Sequence, residues 1–267
     1  MTAGQDMTAY GSYTDLKVTV NNFIATVSIE RGPHNFFDLV LIKSLADAFE
    51  DLGQDPLCRV IILRSEGKSF CAGANFGSGD DDQLNADRLV ESLYQEAVRL
   101  FRTPKPVIGV IQGAAIGGGL GLSVMPDFRV ACPEARFAAN FTRLGFHPGF
   151  GLTVTLPRLI GTSKAELMFY TSRRIKGEEA AAIGLVDVLV AQDKLMDAAM
   201  SLATEIAECS PLGVVDTRAT MRQGLADAVK AATAHELAIQ DKLRDTADFA
   251  EGVKAMNERR VPNWRGV

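Results

Sequence analysis

Apolar and polar residues alternate along two short stretches near the N-terminus. Residues 16–20 and 24–29 place apolar side chains at every second position, which is typical of strands with one buried face. Asn21 and Asn22 separate the two stretches, and a short polar connection of this kind predicts a hairpin turn. The pattern therefore predicts that the fold begins with a β-hairpin.

The hydrophobic spacing then changes from that of strands to that of helices and back. Residues 39–52 and 84–102 carry apolar side chains at helical spacing, whereas residues 60–63 and 107–111 are short runs rich in β-branched residues. Such runs indicate strands buried on both faces, and strands joined through helices pair in parallel. After about residue 195 the strand signal stops and amphipathic helical stretches follow. We predict an α/β fold with a helical C-terminal region.

Composition narrows the class of protein. The chain has 267 residues, and its 47% hydrophobic content is ample for the core of one large domain or of one domain with a small appendage. A net charge of −5 argues against a nucleic-acid-binding surface, which would carry a basic stripe. There is no run of about 18 apolar residues, and the first residues lack the basic and apolar parts of a leader. We expect no membrane partner and a cytoplasmic location.

The cysteines give no sign of a metal or redox site. None of them forms the C-x-x-C pair that marks such sites, and they are widely scattered, at Cys58, Cys71, Cys132 and Cys209. We therefore expect small buried thiols in a reducing compartment and no bound metal.

Two segments of small residues each follow a predicted strand. Ala72, Gly73 and Ala74 form the first, and Gly117 to Gly119 form the second. With so little side chain, the main chain can approach a ligand closely and point its N–H groups at an oxygen. A pair of such donors is what an oxyanion hole needs. A dinucleotide or P-loop site is a poorer match, because the G-x-G-x-x-G register and the P-loop lysine are both missing.

In this order and at this separation, the two segments resemble the crotonase superfamily, also called the enoyl-CoA hydratase/isomerase family. The resemblance covers nearly the whole chain and includes residues 31–37, 59–64, 104–108, 156–161, 180–186 and 248–256. It implies a spiral of ββα repeats over residues 1–195 that holds a CoA-thioester site. It also implies that the helical region, residues 196–267, joins subunits into a homotrimer or a dimer of trimers.

The resemblance also implies roles for particular residues. The N–H groups of Ala74 and Gly118 would hold the thioester carbonyl of an acyl-CoA, with Ala72, Gly73 and Gly117 lining the same site. Coenzyme A would be part of the substrate, so no separate cofactor is expected. His34 and Asn35 fall where the family contacts the pantetheine and adenine parts of CoA. A structural role in a turn fits these two residues equally well.

Hydration of an enoyl thioester needs a carboxylate to position and deprotonate water and an acid to protonate the α-carbon, and hydratases of the family use two glutamates for this. In this chain the two positions hold Gly121 and Phe141, and a third acidic position of the family holds Gly149. None of these side chains transfers a proton. The sequence therefore predicts a lyase or isomerase of the superfamily, with a place in fatty acid metabolism, that is not an efficient ordinary hydratase.

Other titratable residues are candidates for the missing acid or base. His147 lies in a turn before a predicted helix and could act as a base near pH 7, or simply bond the turn. An acidic loop, Asp80, Asp81 and Asp82, could fold over the acyl group or be solvated.

Further residues near these motifs have simpler interpretations. Arg143 could bind a substrate carboxylate or be an exposed arginine, and His235 is expected at a surface or an interface. Cys71 lies beside the predicted hole, but the sequence pairs no base with it, so we expect it to pack.

Several reactions remain open at this point. Isomerisation, decarboxylation and hydrolysis all suit an oxyanion hole whose acid and base groups vary, and fold resemblance cannot choose among them. A different class of function is a non-catalytic acyl-CoA-binding protein that has lost the carboxylates. Retention of the hole argues against that class, because a binder needs only ground-state contacts.

Overall fold

The computed structural model describes residues 10–74 and 83–267, with side chains from residue 92 onward in the second range. It begins with the predicted hairpin of β1 (Leu16–Asn21) and β2 (Ile24–Ile29). Asn21 still pairs with Ile24, so the turn consists of Asn22 and Phe23 and not of Asn21 and Asn22 as predicted. Both turn residues have positive φ, +48° and +66°, as a two-residue hairpin loop requires. The Arg59 guanidinium lies 3.8 Å from the centre of the Phe23 ring and packs over it.

Three ββα units follow the hairpin and helix α1 (Leu39–Gln54). The first unit is β3 (Val60–Ser65), β4 (Ser69–Cys71) and α2 (Gln83–Leu100). The second is β5 (Val107–Ile111), β6 (Ala114–Ile116) and α3 (Gly118–Val124). The third is β7 (Phe128–Ala131), β8 (Arg136–Ala138) and α4 (Leu152–Ile160), with a 3₁₀ helix, Thr142–Leu144, before α4. The predicted α/β fold with ββα repeats is confirmed.

The two strands of each unit belong to different sheets. The first strands join a six-stranded sheet of order β1-β2-β3-β5-β7-β10, and the second strands join a four-stranded sheet of order β4-β6-β8-β9. The last strands of these sheets are β9 (Arg174–Lys176) and β10 (Val188–Leu189). Because β4 and β6 are parallel neighbours, their carboxyl ends lie side by side. This pairing places the two small-residue segments next to each other.

The core lies around the six-stranded sheet. Residues 60–63 of β3 are fully buried, as are Val107, Ile108 and Ile111 of β5. These are the runs that the sequence predicts to be covered on both faces. One face is covered in part by a helix from the C-terminal region, α7 (Leu195–Ala207), which contacts β2, β3, β5 and β7.

Residues 195–267, all of them described, form helices and no strand, as predicted. Helix α9 (Leu225–Arg244) packs against α2 and α4, so part of this region makes contacts within the chain. No described helix is both long and apolar enough to cross a membrane. The remaining helices are α5 (Thr162–Thr171), α6 (Gly177–Ala182), α8 (Pro211–Met221), α9 (Leu225–Arg244) and α10 (Ala247–Asn257).

Candidate active site

The turns that end β4 and β6 come into close contact. Gly73 has φ +84°, and a methyl group built on it would lie 2.7 Å from the Ile116 carbonyl oxygen and 3.7 Å from the Gly118 nitrogen. The Phe37 N–H donates to the Gly73 carbonyl at 3.1 Å and fixes the turn from the other side. Only glycine combines this left-handed backbone with so close an approach.

The backbone donors of these turns divide into two groups. The Ala72 N–H donates to the His34 carbonyl at 3.0 Å, and the Gly117 N–H donates to the Ala138 carbonyl at 2.8 Å. Gly118 opens α3, so its N–H is among the first-turn donors that have no carbonyl partner inside the helix. Ala74 follows the turn and is exposed. The two predicted donors therefore lie in these adjoining turns, Gly118 at the start of α3 and Ala74 at an exposed position.

Asn35 has an internal role. It is fully buried, and its amide donates to the carbonyls of Glu66 and Ser69 at 2.7 and 2.8 Å. Its side-chain oxygen accepts the Arg31 N–H at 3.1 Å. With both ends of the amide used, the structure assigns Asn35 the turn role that the sequence left open. His34 is exposed beside it, with its ring against Phe36.

Aromatic rings occupy or adjoin the two positions that the sequence resemblance matches to glutamates of the family. A methyl group on Gly121 would lie 2.7 Å from Cβ and Cδ1 of Phe150. Phe141 is 9% exposed, and its ring tip lies 3.8 Å from a methyl group built on Gly117. The structure thus brings positions 121 and 141 to the glycine turns, as the resemblance implies, and fills the surrounding space with aromatic carbon.

Two of these rings form a pair that the sequence does not reveal. The Phe37 ring lies directly against the α-carbon of Gly118, and the centres of the Phe37 and Phe150 rings are 5.6 Å apart. Phe37 precedes α1 and Phe150 precedes α4, so their proximity depends on long-range packing. No spacing rule joins them.

His147 is half-buried in the loop before α4, as predicted. Its Nδ1 lies 2.8 Å from the Pro148 carbonyl, and because a carbonyl only accepts, Nδ1 carries the proton in this contact. In the neutral ring with this tautomer, Nε2 has the free lone pair that a base requires. The ring lies edge-on to His235 with the two centres 6.4 Å apart. The contact that joins this loop to α3 is made by Phe150.

Helices α2 and α9 hold this loop through three polar residues that sequence reasoning missed. Glu236 is fully buried and accepts hydrogen bonds from the Gly151 N–H at 2.8 Å and from the Thr153 N–H and Oγ1 at 3.1 and 2.6 Å. Burial raises the pKa of Glu236. Tyr94 Oη donates to Gln240 Oε1 at 2.9 Å, and Gln240 Nε2 donates to the His147 carbonyl at 2.9 Å.

One signal for α9 was available in the sequence. Glu236 and Gln240 are four residues apart and therefore share one face of the helix, yet the same spacing also suits two solvated side chains.

The other candidates are placed as follows. Cys71 is fully buried, and burial raises the pKa of its thiol to about 12, consistent with packing. Arg143 and His235 are exposed. Asp80, Asp81 and Asp82 lie outside the described residues.

Comparison with known proteins agrees with this geometry. The family model described as enoyl-CoA hydratase/isomerase matches residues 19–267. YngF of Bacillus subtilis strain 168, assigned as an enoyl-CoA hydratase/isomerase, is 32% identical over 92% of this chain and 96% of its own length. Carnitinyl-CoA dehydratase of Salmonella paratyphi A is 29% identical over 94% of this chain and 98% of its own length.

Solved structures give the same result. An enoyl-CoA hydratase from Mycobacterium avium subsp. paratuberculosis superposes with a TM-score of 0.82 at 25% identity, over 95% of this chain and all of the other. Methylmalonyl-CoA decarboxylase superposes with a TM-score of 0.81 at 25% identity, over 96% of this chain and all of the other. The chain therefore belongs to the enoyl-CoA hydratase/isomerase family of the crotonase superfamily.

Proposed function

We propose that this protein is an enzyme that converts an acyl-CoA thioester through an enolate, with the N–H groups of Ala74 and Gly118 stabilising the oxyanion. The observation that carries the proposal is the contact of Gly73 with Ile116 and Gly118, which only two glycine-lined turns could make. Donors fixed by the backbone in this way stabilise charge that develops on the thioester oxygen, and they need no reorganisation during the reaction.

The proton must be moved by a group other than the family glutamates, since Gly121 and Phe141 have no titratable side chain. His147 is the leading candidate for the base, because the bond from Nδ1 to Pro148 leaves Nε2 as an acceptor. Asp80, Asp81 and Asp82 are the alternative. Without the two carboxylates, water is neither held nor deprotonated for addition to an enoyl group. The reaction class that we propose is accordingly a lyase or isomerase step other than efficient hydration.

Two alternatives have specific support. Decarboxylation through the same enolate is supported by the similarity to methylmalonyl-CoA decarboxylase over nearly the whole chain. Hydrolysis would use the same donors to stabilise the tetrahedral oxyanion that forms when water adds to the thioester carbonyl and that expels the CoA thiolate. A non-catalytic acyl-CoA-binding protein is supported by the aromatic rings that fill the glutamate positions.

Exchange of the α-proton separates these possibilities whichever reaction the enolate undergoes. Saturated, unsaturated and carboxylated acyl-CoA thioesters would be incubated with the protein in D₂O and analysed by mass spectrometry. An enolate-forming enzyme incorporates deuterium at the α-carbon or releases CO₂ from a carboxylated thioester. Tight binding of these thioesters with neither exchange nor turnover would instead establish the binding protein.

We further propose that residues 196–267 mediate assembly into a homotrimer or a dimer of trimers. Helix α8 supports this, because Leu212 is 77% exposed and Met221 is 68% exposed. Exposed apolar side chains of this size favour a protein interface. Light scattering should give three or six times the chain mass, and Leu212→Glu combined with Met221→Glu should lower it.

A cytoplasmic location and a role in fatty acid metabolism complete the proposal, supported by the free cysteines and by the family. Cell fractionation and acyl-CoA profiling of a deletion strain would test them.

A further inference from the structure

We infer that Phe37 and Phe150 are specificity-determining residues that restrict the site to short acyl groups, and that Tyr94, Glu236 and Gln240 position Phe150. The inference rests on the proposed function, because it assumes that the thioester carbonyl binds at the Gly118 N–H.

The first step concerns the space beside the carbonyl. Gly118 and Gly121 are three residues apart in α3 and therefore lie on the same face of the helix. Phe37 packs against Gly118, and Phe150 packs against Gly121. The acyl carbons next to a carbonyl held at Gly118 must pass this face, where they meet the two rings. An acyl chain that extends along α3 would collide with them.

The second step is that the Phe150 ring has little freedom to move aside. It is 1% exposed, and its backbone is left-handed with φ +62°, followed by Gly151 with φ +72°. A bulky residue rarely adopts this conformation unless its surroundings impose it.

Three side chains impose it here. The Tyr94 hydroxyl lies against the α-carbon of Gly149, the residue before Phe150. Gln240 bonds both Tyr94 and the His147 carbonyl, and Glu236 bonds the Gly151 N–H. The loop is therefore attached to α2 and α9 at residues 147, 149 and 151. These contacts hold the aromatic wall in place, and a long acyl chain must disrupt them to enter.

Binding of saturated acyl-CoA thioesters from acetyl-CoA to decanoyl-CoA, measured by calorimetry, tests this assignment directly. For the wild type we expect affinity to fall once the chain exceeds a short acyl group. Phe150→Ala should raise the affinity for octanoyl-CoA relative to butyryl-CoA by about tenfold or more, since a single methylene in a tight pocket changes discrimination by that order.

Phe146→Ala is the matched control. It truncates the same side chain in the same loop, but its ring packs against Phe249 and not against α3. This variant should keep the wild-type chain-length profile.

A second pair of variants tests the positioning residues. Tyr94→Phe removes only the hydroxyl that bonds Gln240 and contacts Gly149, and it should shift the chain-length profile in the direction of Phe150→Ala. It should also speed amide hydrogen exchange in the peptide that covers residues 146–155. Tyr170→Phe, a change at a tyrosine that is 73% exposed, should alter neither result. This pair remains informative if Phe150→Ala does not fold.

The outcomes distinguish failure of the inference from failure of the proposed function. Deuterium exchange at the α-carbon together with an unchanged chain-length profile in Phe150→Ala or Tyr94→Phe would overturn the inference alone. Wild-type affinity that rises steadily to decanoyl-CoA would do the same. Absence of binding to every thioester would overturn the proposed function and the inference with it.

Discussion

The two sides of the candidate site are built from different groups. On the side of β4, β6 and α3, the site is built from glycine turns, and the proposed donors there are the backbone N–H groups of Ala74 and Gly118. On the side of the loop before α4, the resemblance leads one to expect carboxylates, and the structure has Phe150 and Phe141. The glycines of the first side and the missing glutamates of the second are both visible in the sequence, whereas the approach of Phe150 to Gly121 is not.

The difference shows which part of such a site can change independently. A donor pair made by the backbone depends on the pairing of β4 with β6, so it persists as long as the sheet forms. A side-chain acid or base can be lost through a single substitution. At Gly121 the space is also filled, because Phe150 packs against its α-carbon. The backbone donors therefore depend on the sheet, whereas the proton-transfer group depends on single side chains.

The largest effect is expected from His147→Gln. If Nε2 of His147 is the base, the variant should lose about 10²- to 10⁴-fold in kcat while KM for the thioester stays nearly constant, since proton transfer acts in the transition state. His235→Gln is the matched control, because this neighbouring ring is exposed. Full activity in His147→Gln would direct attention to Asp80, Asp81 and Asp82, and a parallel loss of affinity would make His147 a binding contact.

The proposed role of the Gly118 N–H as an oxyanion donor is tested by comparing Gly118→Pro with Gly118→Ala. Both variants add a β-carbon that presses on Phe37, but only proline removes the N–H. Proline is tolerated in the first turn of a helix, so the fold can survive the change. Turnover of the proline variant should be about 10²-fold below that of the alanine variant. Equal turnover in two variants with native circular dichroism would show that Gly118 is no oxyanion donor.

Wild-type hydration of crotonyl-CoA should be slow, with kcat/KM below about 10⁴ M⁻¹s⁻¹. An efficient wild-type hydratase would show that the glutamate positions are misplaced.

Gly121→Glu alone should not restore hydration, because the Phe150 ring occupies the space that the new side chain needs. The overpacking should destabilise the fold by about 1 to 3 kcal/mol. Gly121→Glu with Phe150→Ala should recover part of that stability. The free energy of unfolding of each variant is measured by urea denaturation.

Much of the fold follows from local patterns. The buried runs of β3 and β5 and the alternation of β1 and β2 are visible in the sequence, because burial on two faces or one leaves a distinct period. The hairpin turn is off by one residue, since the choice between Asn21 and Phe23 as a turn residue depends on pairing register and on Arg59 packing over the ring.

The candidate site likewise contains some residues that the sequence identifies and others that it does not. Gly73 and Gly118 could be found because a left-handed turn and a close backbone approach leave glycine in the sequence. The Phe37–Phe150 pair and the contacts of Tyr94 and Glu236 join residues far apart along the chain. Their residue types also occur in any core or helix surface, so local patterns do not identify them.

The smallest expected effect is the pH dependence of the free energy of unfolding that Glu236 causes through its contacts with the loop before α4. Burial raises its pKa above the ordinary 4.5, so the folded chain binds a proton there more readily than the unfolded chain does. The stability associated with that proton is complete below the unfolded pKa and is lost as pH rises through the folded value. The unfolding free energy of wild type minus that of Glu236→Gln should therefore decline as pH rises from 4.5, by up to about 1.4 kcal/mol for each unit of pKa shift.

Glu251→Gln supplies a control of opposite sign for the same urea titrations. Hydrogen bonds from Arg260 lower the pKa of Glu251 to about 2, so its contribution is present above the unfolded pKa and is lost as pH falls. The wild-type advantage over Glu251→Gln should therefore grow as pH rises from 2 towards 4.5 and then level off. If the Glu236 difference also grew with pH, Glu236 would be an ionised and stabilising cap of α4, and burial would not control its titration.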